Sequence, residues 1–573
     1  MSGSTCSTQR SGSADITRRL VEICGPPFAR PAGPADEVAG QAATWVAVPG
    51  DARAAAEVLR LAAAHDLTVV PRGAGTKIDW GAAPDRVDIM LDTGRIAGIR
   101  HPSEPDRHGA AGLGRHRRAE AGSADRSGAG SSDPGRADVG RPGPRRSGGP
   151  GPAGRSRAEP PAGWSWVDPP AERSPAEPAV GWSRVEPPAG RSSAERHGHP
   201  VVEIGAGTPL RAVQAALARS GRRLALDAPS PGATLGGVLA ADESGPLRLR
   251  YGTPCDQLVD LRYLTADGDL VDAAGGASGL ETARLLCGSQ GGLGVLVSAT
   301  LRTQPLPAAR AWVTRPVWTP LEVHELIQAV LAAGLQPAAI ELDLPTARRP
   351  PAPRGAADSA PPTGAGWSGH PAGSARAAHP AGSARAAHPA GSARTGRSTG
   401  SARSTPPAAG DLVVLLEGGP AEVAERTRRL TGLLGDTATV ADSPPDWWRR
   451  YPFRPDDIAL RVDVPLTDLH AAIYALRDAV GAPVPVRGSV GLGVAHAVLP
   501  GNTRVDRVAS ILTAVRQVLL ARQGRCVVLA APPAVRQGVD LWGELPALPR
   551  LLAAKRYLDP HQRLAPGRLP GGL

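Results

Sequence analysis

The chain has 573 residues, of which 41% are hydrophobic, and a formal net charge of +11 at pH 7. Two arginine-rich stretches supply most of that charge, and the remainder shows no basic face interleaved with aromatic side chains, which argues against nucleic-acid binding. No apolar run reaches the roughly 18 residues of a membrane span and the N-terminus lacks the apolar core of a signal peptide, so a cytoplasmic protein is expected.

The first elements read clearly from the residue pattern. "WVAVPG" from Trp45 predicts a strand, and Asp51 is expected to cap a helix through "ARAAAEVLRLAAAHD". Residues 67–70 predict a buried strand that Pro71 ends, and "RVDIMLDTGRIAGI" predicts another strand and a turn. A strand, a glycine turn and a helix then resume at "PVVEIGAGTPLRAVQAALARSG".

Residues 101–198 and 346–410 are predicted to be disordered inserts. Both are rich in Pro, Gly, Ser and Arg, and both repeat internally: "HPAGSARAA" starts at His370 and again at His379. Such a composition buries too little apolar surface to offset the entropy of ordering. The rest of the chain is long enough for two domains with sizeable cores.

The loop "VVPRGAGTKIDWG", residues 69–81, places Gly73 and Gly75 directly after a predicted strand. It fits neither the Walker A spacing nor the dinucleotide fingerprint, which needs a third glycine where Ile78 stands. Glycines of this kind permit positive φ and let backbone N–H groups converge on an anion. An ordinary strand-to-loop turn is the alternative interpretation.

Together with "DAPSPGATLGGVLAADESG" and "LLCGSQGGLGVLVSATLRTQP", this loop resembles the FAD-binding domain of the vanillyl-alcohol oxidase type, also called PCMH-type. The residues that match its cofactor loops are Pro71, Arg72, Gly73, Ala74, Gly75 and Thr76, then Pro231, Gly232, Ala233, Thr234, Gly236 and Gly237, then Ser244, Gly245, Tyr251 and Gly252, and finally Gly288, Ser289, Gly292 and Gly294. Asp242 departs from the asparagine that is usual in the second motif. The histidine that attaches flavin covalently in related oxidases is replaced here by Ala or Gly, so the resemblance implies noncovalent FAD.

The resemblance also implies the architecture. It predicts an α+β protein with an N-terminal segment at 1–44, a two-subdomain PCMH-type FAD-binding domain at 45–310, and a cap domain at 311–573. The cap is expected to be an antiparallel sheet covered by helices, because strands such as "DIALRVDVP" alternate there with amphipathic helical patterns.

Within this family, "GTKIDWG" and the C-terminal "YLDPHQRLAPGR" resemble the FAD-binding, E-type subunit of bacterial glycolate oxidase. The implied function is oxidation of glycolate, or a similar small 2-hydroxy acid, by hydride transfer to FAD. The implied partners are a second FAD-linked subunit and an iron–sulfur subunit, through which the chain would be peripheral to the membrane. Two alternatives stay open: a self-contained FAD-dependent oxidase of another alcohol or hydroxy acid, and a flavin-binding structural subunit without turnover.

Candidates for chemistry in the cap are few. His496 is either a substrate-facing or proton-accepting group or a satisfied sheet histidine, and Arg487 either pairs with a substrate carboxylate or is a solvated strand-edge arginine. The five cysteines are widely spaced and never form a C-x-x-C pair, so no iron–sulfur, zinc or other metal site is expected.

Overall fold

A computed structural model describes residues 4–100, 200–273, 277–345 and 408–573. The predicted inserts therefore lie outside the described residues, apart from residues 408–410. Of these, Gly410 begins a strand and pairs with Val317, and Ala409 N donates to Val317 O at 2.8 Å. The expected mixed architecture of helices and sheets is confirmed.

The helices of the described residues are α1 (Ser4–Cys24), α2 (Ala52–Ala64), α3 (Leu210–Ala218), α4 (Leu235–Ala240), α5 (Arg248–Tyr251), α6 (Ala277–Leu286), α7 (Pro320–Ala332), α8 (Pro420–Leu434), α9 (Leu469–Val480), α10 (Val505–Leu520), α11 (Pro533–Gly538) and α12 (Leu548–Leu558). The strands are β1 (Ala29–Pro31), β2 (Glu37–Val38), β3 (Gln41–Ala42), β4 (Trp45–Ala47), β5 (Val69–Arg72), β6 (Ile89–Asp92), β7 (Ile99–Arg100), β8 (Val201–Gly205), β9 (Arg222–Arg223), β10 (Leu258–Leu264), β11 (Leu270–Asp272), β12 (Val295–Arg302), β13 (Gln304–Pro305), β14 (Ala309–Val317), β15 (Ala339–Leu344), β16 (Gly410–Gly418), β17 (Thr439–Ala441), β18 (Ile458–Asp463), β19 (Val486–Gly488), β20 (Val494–Leu499) and β21 (Arg525–Ala530). None of these helices is both long and apolar enough to cross a membrane.

The first sheet has the strand order β1-β4-β6-β5, with β4 and β5 both parallel to β6. Helix α2 connects β4 to β5, and the Asp51 carboxylate caps it by accepting a hydrogen bond from Ala54 N at 2.8 Å, as predicted. The N-terminal segment is part of this layer, because β1 pairs with β4 and Leu20 of α1 is buried in the same core. The loop that follows β5 therefore leaves the carboxyl end of a parallel pair, which is the usual ligand-binding edge of such sheets.

The second sheet is antiparallel with the order β11-β10-β12-β8-β7, and its core includes side chains of α3, α4 and α6. The third sheet has eight antiparallel strands in the order β17-β14-β16-β15-β19-β20-β18-β21, and its core includes side chains of α7 to α10. Both predicted inserts connect strands that pair directly, β7 with β8 and β15 with β16. An insert between two neighbouring strands does not interrupt their pairing. The entropic cost of closing such a loop grows only slowly with its length.

The buried carboxyl group of Glu341 on β15 makes the stability of this fold depend on pH. Burial raises the pKa of Glu341 to about 8, and its Oε1 atom is buried without a partner among the described residues. Because the folded state holds a proton that the unfolded state releases above its ordinary pKa, stability is lost as the pH rises from about 4.5 towards 8.

We therefore expect Glu341→Gln to stabilise the protein increasingly over that range, by about 2–3 kcal/mol at pH 7 and by little at pH 4.5. Urea denaturation followed by tryptophan fluorescence at several pH values measures this difference. Glu325→Gln, an exposed change on α7, is the control. A Glu341→Gln effect that does not change with pH would contradict the assignment.

Candidate functional site

A cleft of about 530 Å³ lies where three parts of the chain meet: the loop after β5, the segment after α4, and the ends of β18, β20 and β21 in the eight-stranded sheet. Half of the predicted cofactor residues line it, namely Pro71, Arg72, Gly73, Ala74, Gly75, Thr76, Thr234, Gly237, Ser244 and Gly288. Loops that are far apart in sequence therefore converge on one space.

The first two loops touch each other at Gly73. A Cβ atom added at Gly73 would lie 2.3 Å from Thr234 Oγ1, so only glycine permits this approach. Thr234 in turn caps α4 by accepting a hydrogen bond from Gly237 N at 3.3 Å. Gly75 has a φ of 72°, which glycine adopts without strain and which turns the loop towards the cleft.

The C-terminal motif packs against the root of the first loop. Val69 N donates to Arg563 O at 2.8 Å, and Ala565 N donates to Val69 O at 2.9 Å, so residues 563–565 extend the edge beside β5. Arg568 then lines the cleft and donates to Lys77 O and Ile78 O. The two sequence signatures of the E-type resemblance thus meet in space.

The other predicted cofactor residues do not line the cleft: Pro231, Gly232, Ala233, Gly236, Gly245, Tyr251, Gly252, Ser289, Gly292 and Gly294. Several support the loops instead. A Cβ at Gly236 would lie 2.8 Å from Ala206 Cβ, and one at Gly245 would lie 2.1 Å from Asp227 O. Tyr251 accepts a hydrogen bond from Arg223 in a buried cluster with Glu417.

Arginines of α5 and of the eight-stranded sheet line the cleft. Arg461 of β18 forms a 2.8 Å ion pair with Asp463 two residues along the same strand, and Arg248 and Arg525 also line the cleft. Burial lowers the pKa of Arg248, and the nearby charge of Arg461 lowers it further, which shows that the cations share one region. Burial by itself would lower the pKa of Arg461, but the ion pair with Asp463 outweighs burial, so the pKa is raised.

His496 of β20 lines the cleft. Its ring meets that of Tyr451 edge to face at a centroid distance of 5.0 Å. Burial, reinforced by the charge of Arg461, lowers the pKa of His496 to about 3, so its imidazole is neutral at physiological pH.

Arg487 does not line the cleft. Its Nε atom donates to Asp343 at 2.7 Å, and its Nη1 atom donates to the carbonyls of Arg450 and Tyr451. The guanidinium therefore holds the 450–451 segment onto the sheet.

Sequence reasoning missed the groups that tie the cleft together. Glu243 accepts a hydrogen bond from Lys77 Nζ at 2.6 Å and another from Tyr451 Oη at 3.1 Å. Lys77 and Glu243 are 166 positions apart in the sequence, and Glu243 and Tyr451 are 208 positions apart, so no local sequence pattern predicts these contacts. A signal did exist for Arg461 and Asp463, because polar residues at alternate positions of an apolar strand share one face.

Three buried polar atoms of the cleft-lining residues have no partner among the described residues: Arg568 Nη1, Asp242 Oδ1 and Gln290 Oε1. Buried polar groups are normally satisfied, so a donor and two acceptors point to a ligand that supplies both kinds of partner. FAD does so, with diphosphate oxygens that accept and ribityl hydroxyls that donate. Burial lowers the pKa of Arg568 to about 10, so it stays cationic at neutral pH and suits an anionic group. The residues present therefore fit FAD.

Among the described residues, no three His, Cys, Asp or Glu side chains are grouped to hold a metal ion. The cysteines whose side chains are described, Cys24, Cys255, Cys287 and Cys526, form no disulfide.

The glycine loops, the fold and the unpartnered atoms define an FAD-binding flavoprotein. Residues 196–274 match the family described as "FAD binding domain". This match agrees with the cleft that the glycine loops form, and the cofactor of the chain is FAD.

Curated relatives match short parts of the chain. The mitochondrial D-lactate dehydrogenase [cytochrome] of Arabidopsis thaliana is 35% identical over 118 residues, which cover 20% of this chain and 21% of that protein. Glycolate oxidase subunit GlcE of Escherichia coli is 31% identical over 143 residues, covering 24% and 40%. Glycolate oxidase subunit GlcD of Bacillus subtilis is 30% identical over 125 residues, covering 20% and 25%. The chain therefore spans less than half of the length of these relatives.

A solved structure of an alkyldihydroxyacetonephosphate synthase is similar over much more of the molecule. Its TM-score is 0.54 at 13% identity, and the alignment covers 96% of this chain and 84% of that chain. At such low identity the likeness concerns the fold alone, and it supports the PCMH-type architecture expected from the sequence.

Proposed function

We propose that this chain uses FAD to oxidise a small 2-hydroxy acid, such as glycolate, as the FAD-binding subunit of a glycolate oxidase- or dehydrogenase-like complex. The observation that carries the proposal is the joining, in one cleft, of the glycine loops with the arginines of the eight-stranded sheet. The names of the matching relatives, which refer to glycolate and D-lactate, agree with a substrate that has a hydroxyl group beside a carboxylate.

The loops Gly73–Thr76 and Thr234–Gly237 would hold the cofactor through backbone N–H groups, without covalent attachment. When bound, FAD supplies the acceptor for the hydride of the substrate. Arg461, with Arg248 and Arg525 beside it, would bind the substrate carboxylate by charge-assisted hydrogen bonds, and Asp463 fixes its guanidinium by accepting from Nε and Nη2. His496, neutral and close by, adds a hydrogen-bonding group that does not repel these cations.

We further propose that electrons leave through a separate iron–sulfur subunit, and that a second FAD-linked subunit completes the complex. Copurification from cells with a larger flavoprotein and an iron–sulfur protein would support this assembly. A chain that copurifies with neither and reduces oxygen by itself would instead be the self-contained oxidase.

The decisive experiment is the visible spectrum of the purified full chain, followed by anaerobic addition of glycolate or D-lactate. We expect flavin absorbance that is released by denaturation and bleached by at least one of these acids. A chain that binds FAD but is bleached by no 2-hydroxy acid, alone or with its copurifying partners, would be a flavin-binding structural subunit. A chain that yields no flavin and binds none on reconstitution would contradict the cofactor assignment.

Replacing Arg461 by glutamine tests the carboxylate site. We expect Arg461→Gln to raise the KM for the hydroxy acid about 10- to 100-fold, since one charge-assisted hydrogen-bonded pair is lost, with FAD affinity nearly unchanged. Steady-state kinetics and FAD titration measure the two effects separately. Arg504→Gln, at an exposed position, is the control. An unchanged KM in Arg461→Gln would remove Arg461 from the substrate site.

A further inference from the structure

The hydroxyl of Tyr451 has a fixed direction. Tyr451 lines the cleft, and its hydroxyl lies 3.1 Å from Glu243 Oε1. The Glu243 side chain is only 1% exposed, and its Oε2 atom pairs with Lys77 Nζ at 2.6 Å. Its Oε1 atom also accepts from Ser230 N at 3.0 Å and from Ser230 Oγ at 2.5 Å.

A carboxylate in an ion pair can only accept hydrogen bonds, so the hydroxyl proton of Tyr451 points towards Glu243. The lone pairs of the same oxygen are then free to accept a hydrogen bond from a group in the cleft. A substrate hydroxyl is such a donor. The hydrogen bonds would therefore run in one direction, with the substrate hydroxyl donating to Tyr451 and Tyr451 donating to Glu243.

We propose that Tyr451 accepts the hydroxyl proton of the 2-hydroxy acid while passing its own proton to Glu243. This inference rests on the proposed function. In the reaction the C–H bond of the α-carbon and the O–H bond of its hydroxyl group break, and the bond between that carbon and oxygen becomes C=O. The hydride, with its two electrons, would be taken up by bound FAD, the substrate hydroxyl proton would move to Tyr451, and the proton that Tyr451 gives up would make Glu243 a carboxylic acid.

The hydrogen bond from the Tyr451 hydroxyl to Glu243 sets the direction of this path. Burial and the charge of Arg461 lower the pKa of His496 to about 3, so that ring stays neutral beside the path. Lys77 pairs with the Glu243 carboxylate, and the charge of Arg461 acts on Tyr451 in a cleft that Asp242, Arg248 and Asp463 also line. A cation beside the tyrosine stabilises the negative charge that develops on its oxygen during transfer.

The first test is the rate of flavin bleaching by substrate in the FAD-loaded full chain. Tyr451→Phe keeps the ring that packs against Trp80 and His496 but removes the hydroxyl. We expect it to lower the bleaching rate about 100- to 1,000-fold, with FAD affinity within about twofold of the original. Glu243→Gln should cause a similar loss and shift the pH profile, and Tyr474→Phe, at an exposed site on α9, should change neither quantity.

The second test does not depend on turnover. The chain has five tyrosines, so ¹³Cζ-tyrosine NMR of the oxidised, FAD-loaded chain resolves them, and Tyr451→Phe assigns the signal of interest. Burial raises the pKa of Tyr451, and the Glu243 carboxylate raises it further. Glu243→Gln removes that negative charge, so the Tyr451 signal should titrate at lower pH than in the original chain.

The proposal is wrong if Tyr451→Phe bleaches as fast as the original chain, or if Glu243→Gln leaves the titration of Tyr451 unchanged. Tyr451→Phe leaves the Lys77–Glu243 pair intact, so the test stands even if Glu243→Gln fails to fold. If the original chain is bleached by no hydroxy acid, the proposed function fails and the proton transfer falls with it. If the original chain is bleached and Tyr451→Phe is bleached at the same rate, the proposed function stands and only the proton transfer is refuted.

Discussion

Replacing Gly73 by alanine is expected to weaken FAD binding by about 10- to 100-fold, because forcing an extra carbon into a packed contact costs about 1–3 kcal/mol. The added Cβ would lie 2.3 Å from Thr234 Oγ1, and that oxygen caps α4. Thr234 must then rotate away and give up its hydrogen bond to Gly237, or the two loops must separate. Titration of the FAD-depleted chain with FAD, followed by flavin fluorescence, measures the loss.

A double-mutant cycle separates the clash from other causes. In a Thr234→Ala background the offending oxygen is absent, and the nearest remaining Thr234 atom to the new carbon is the Cβ, 3.5 Å away. Gly73→Ala should therefore lower FAD affinity little in that background. The loss of binding free energy in the double mutant should then be smaller than the sum of the losses in the two single mutants. Gly432→Ala, where a new Cβ on α8 meets nothing within 4 Å, should leave FAD affinity unchanged. Equal costs for Gly73→Ala in both backgrounds would show that the loops do not depend on this contact.

Local patterns were sufficient for individual elements. Asp51 predicted the start of α2, and the alternation in "DIALRVDVP" predicted β18. Both signals are local, because a helix cap and the alternation of side chains along a strand depend on residues close together in sequence. The meeting of Gly73 with Thr234 was predicted only through the family resemblance, since no physical signal within either loop refers to the other. Which loop residues line the cleft and which support it, as Gly245 does against Asp227, depended on packing and was not predicted.

The two arginines of the cap show why the site itself was harder to predict. Arg461 and Arg487 lie directly opposite His496 on the strands either side of it, so all three side chains start from the same face of the sheet. Their roles diverge because Asp343 and the carbonyls of residues 450–451 capture Arg487, whereas Asp463 holds Arg461 beside the cleft. That choice depends on segments far away in sequence, so a pattern within one strand could not reveal it.

The use of lysine also acquired a physical meaning. The chain has only two lysines, Lys77 and Lys555, among 65 basic residues. Both lysines prove to be buried and paired, Lys77 with Glu243 and Lys555 with Asp559. Burial and pairing are properties of the folded chain, so composition alone could not distinguish them from chance.

The ammonium group of Lys555 is bound by three acceptors, and the geometry explains the residue. Lys555 Nζ donates to Gly292 O at 2.8 Å, to Asp559 Oδ2 at 2.8 Å and to Leu564 O at 2.7 Å. One nitrogen with three N–H bonds serves acceptors that converge on a point, whereas the planar fork of arginine spreads its donors over several atoms. The contact joins α12, the C-terminal motif and the glycine turn at Gly292, so it secures the support beneath the cleft.

We expect Lys555→Met to destabilise the protein by about 3–5 kcal/mol, because it leaves the Asp559 carboxylate buried without its cation. Asp559 has 0% side-chain exposure, so water cannot replace the ammonium without local opening. Lys555→Arg should also destabilise, despite keeping the charge, because the larger planar group does not fit three converging acceptors. Urea denaturation measures both effects, with the exposed neighbour change Arg556→Met as the control. If Lys555→Arg were as stable as the original chain, charge alone would account for the site and the geometric argument for lysine would be wrong.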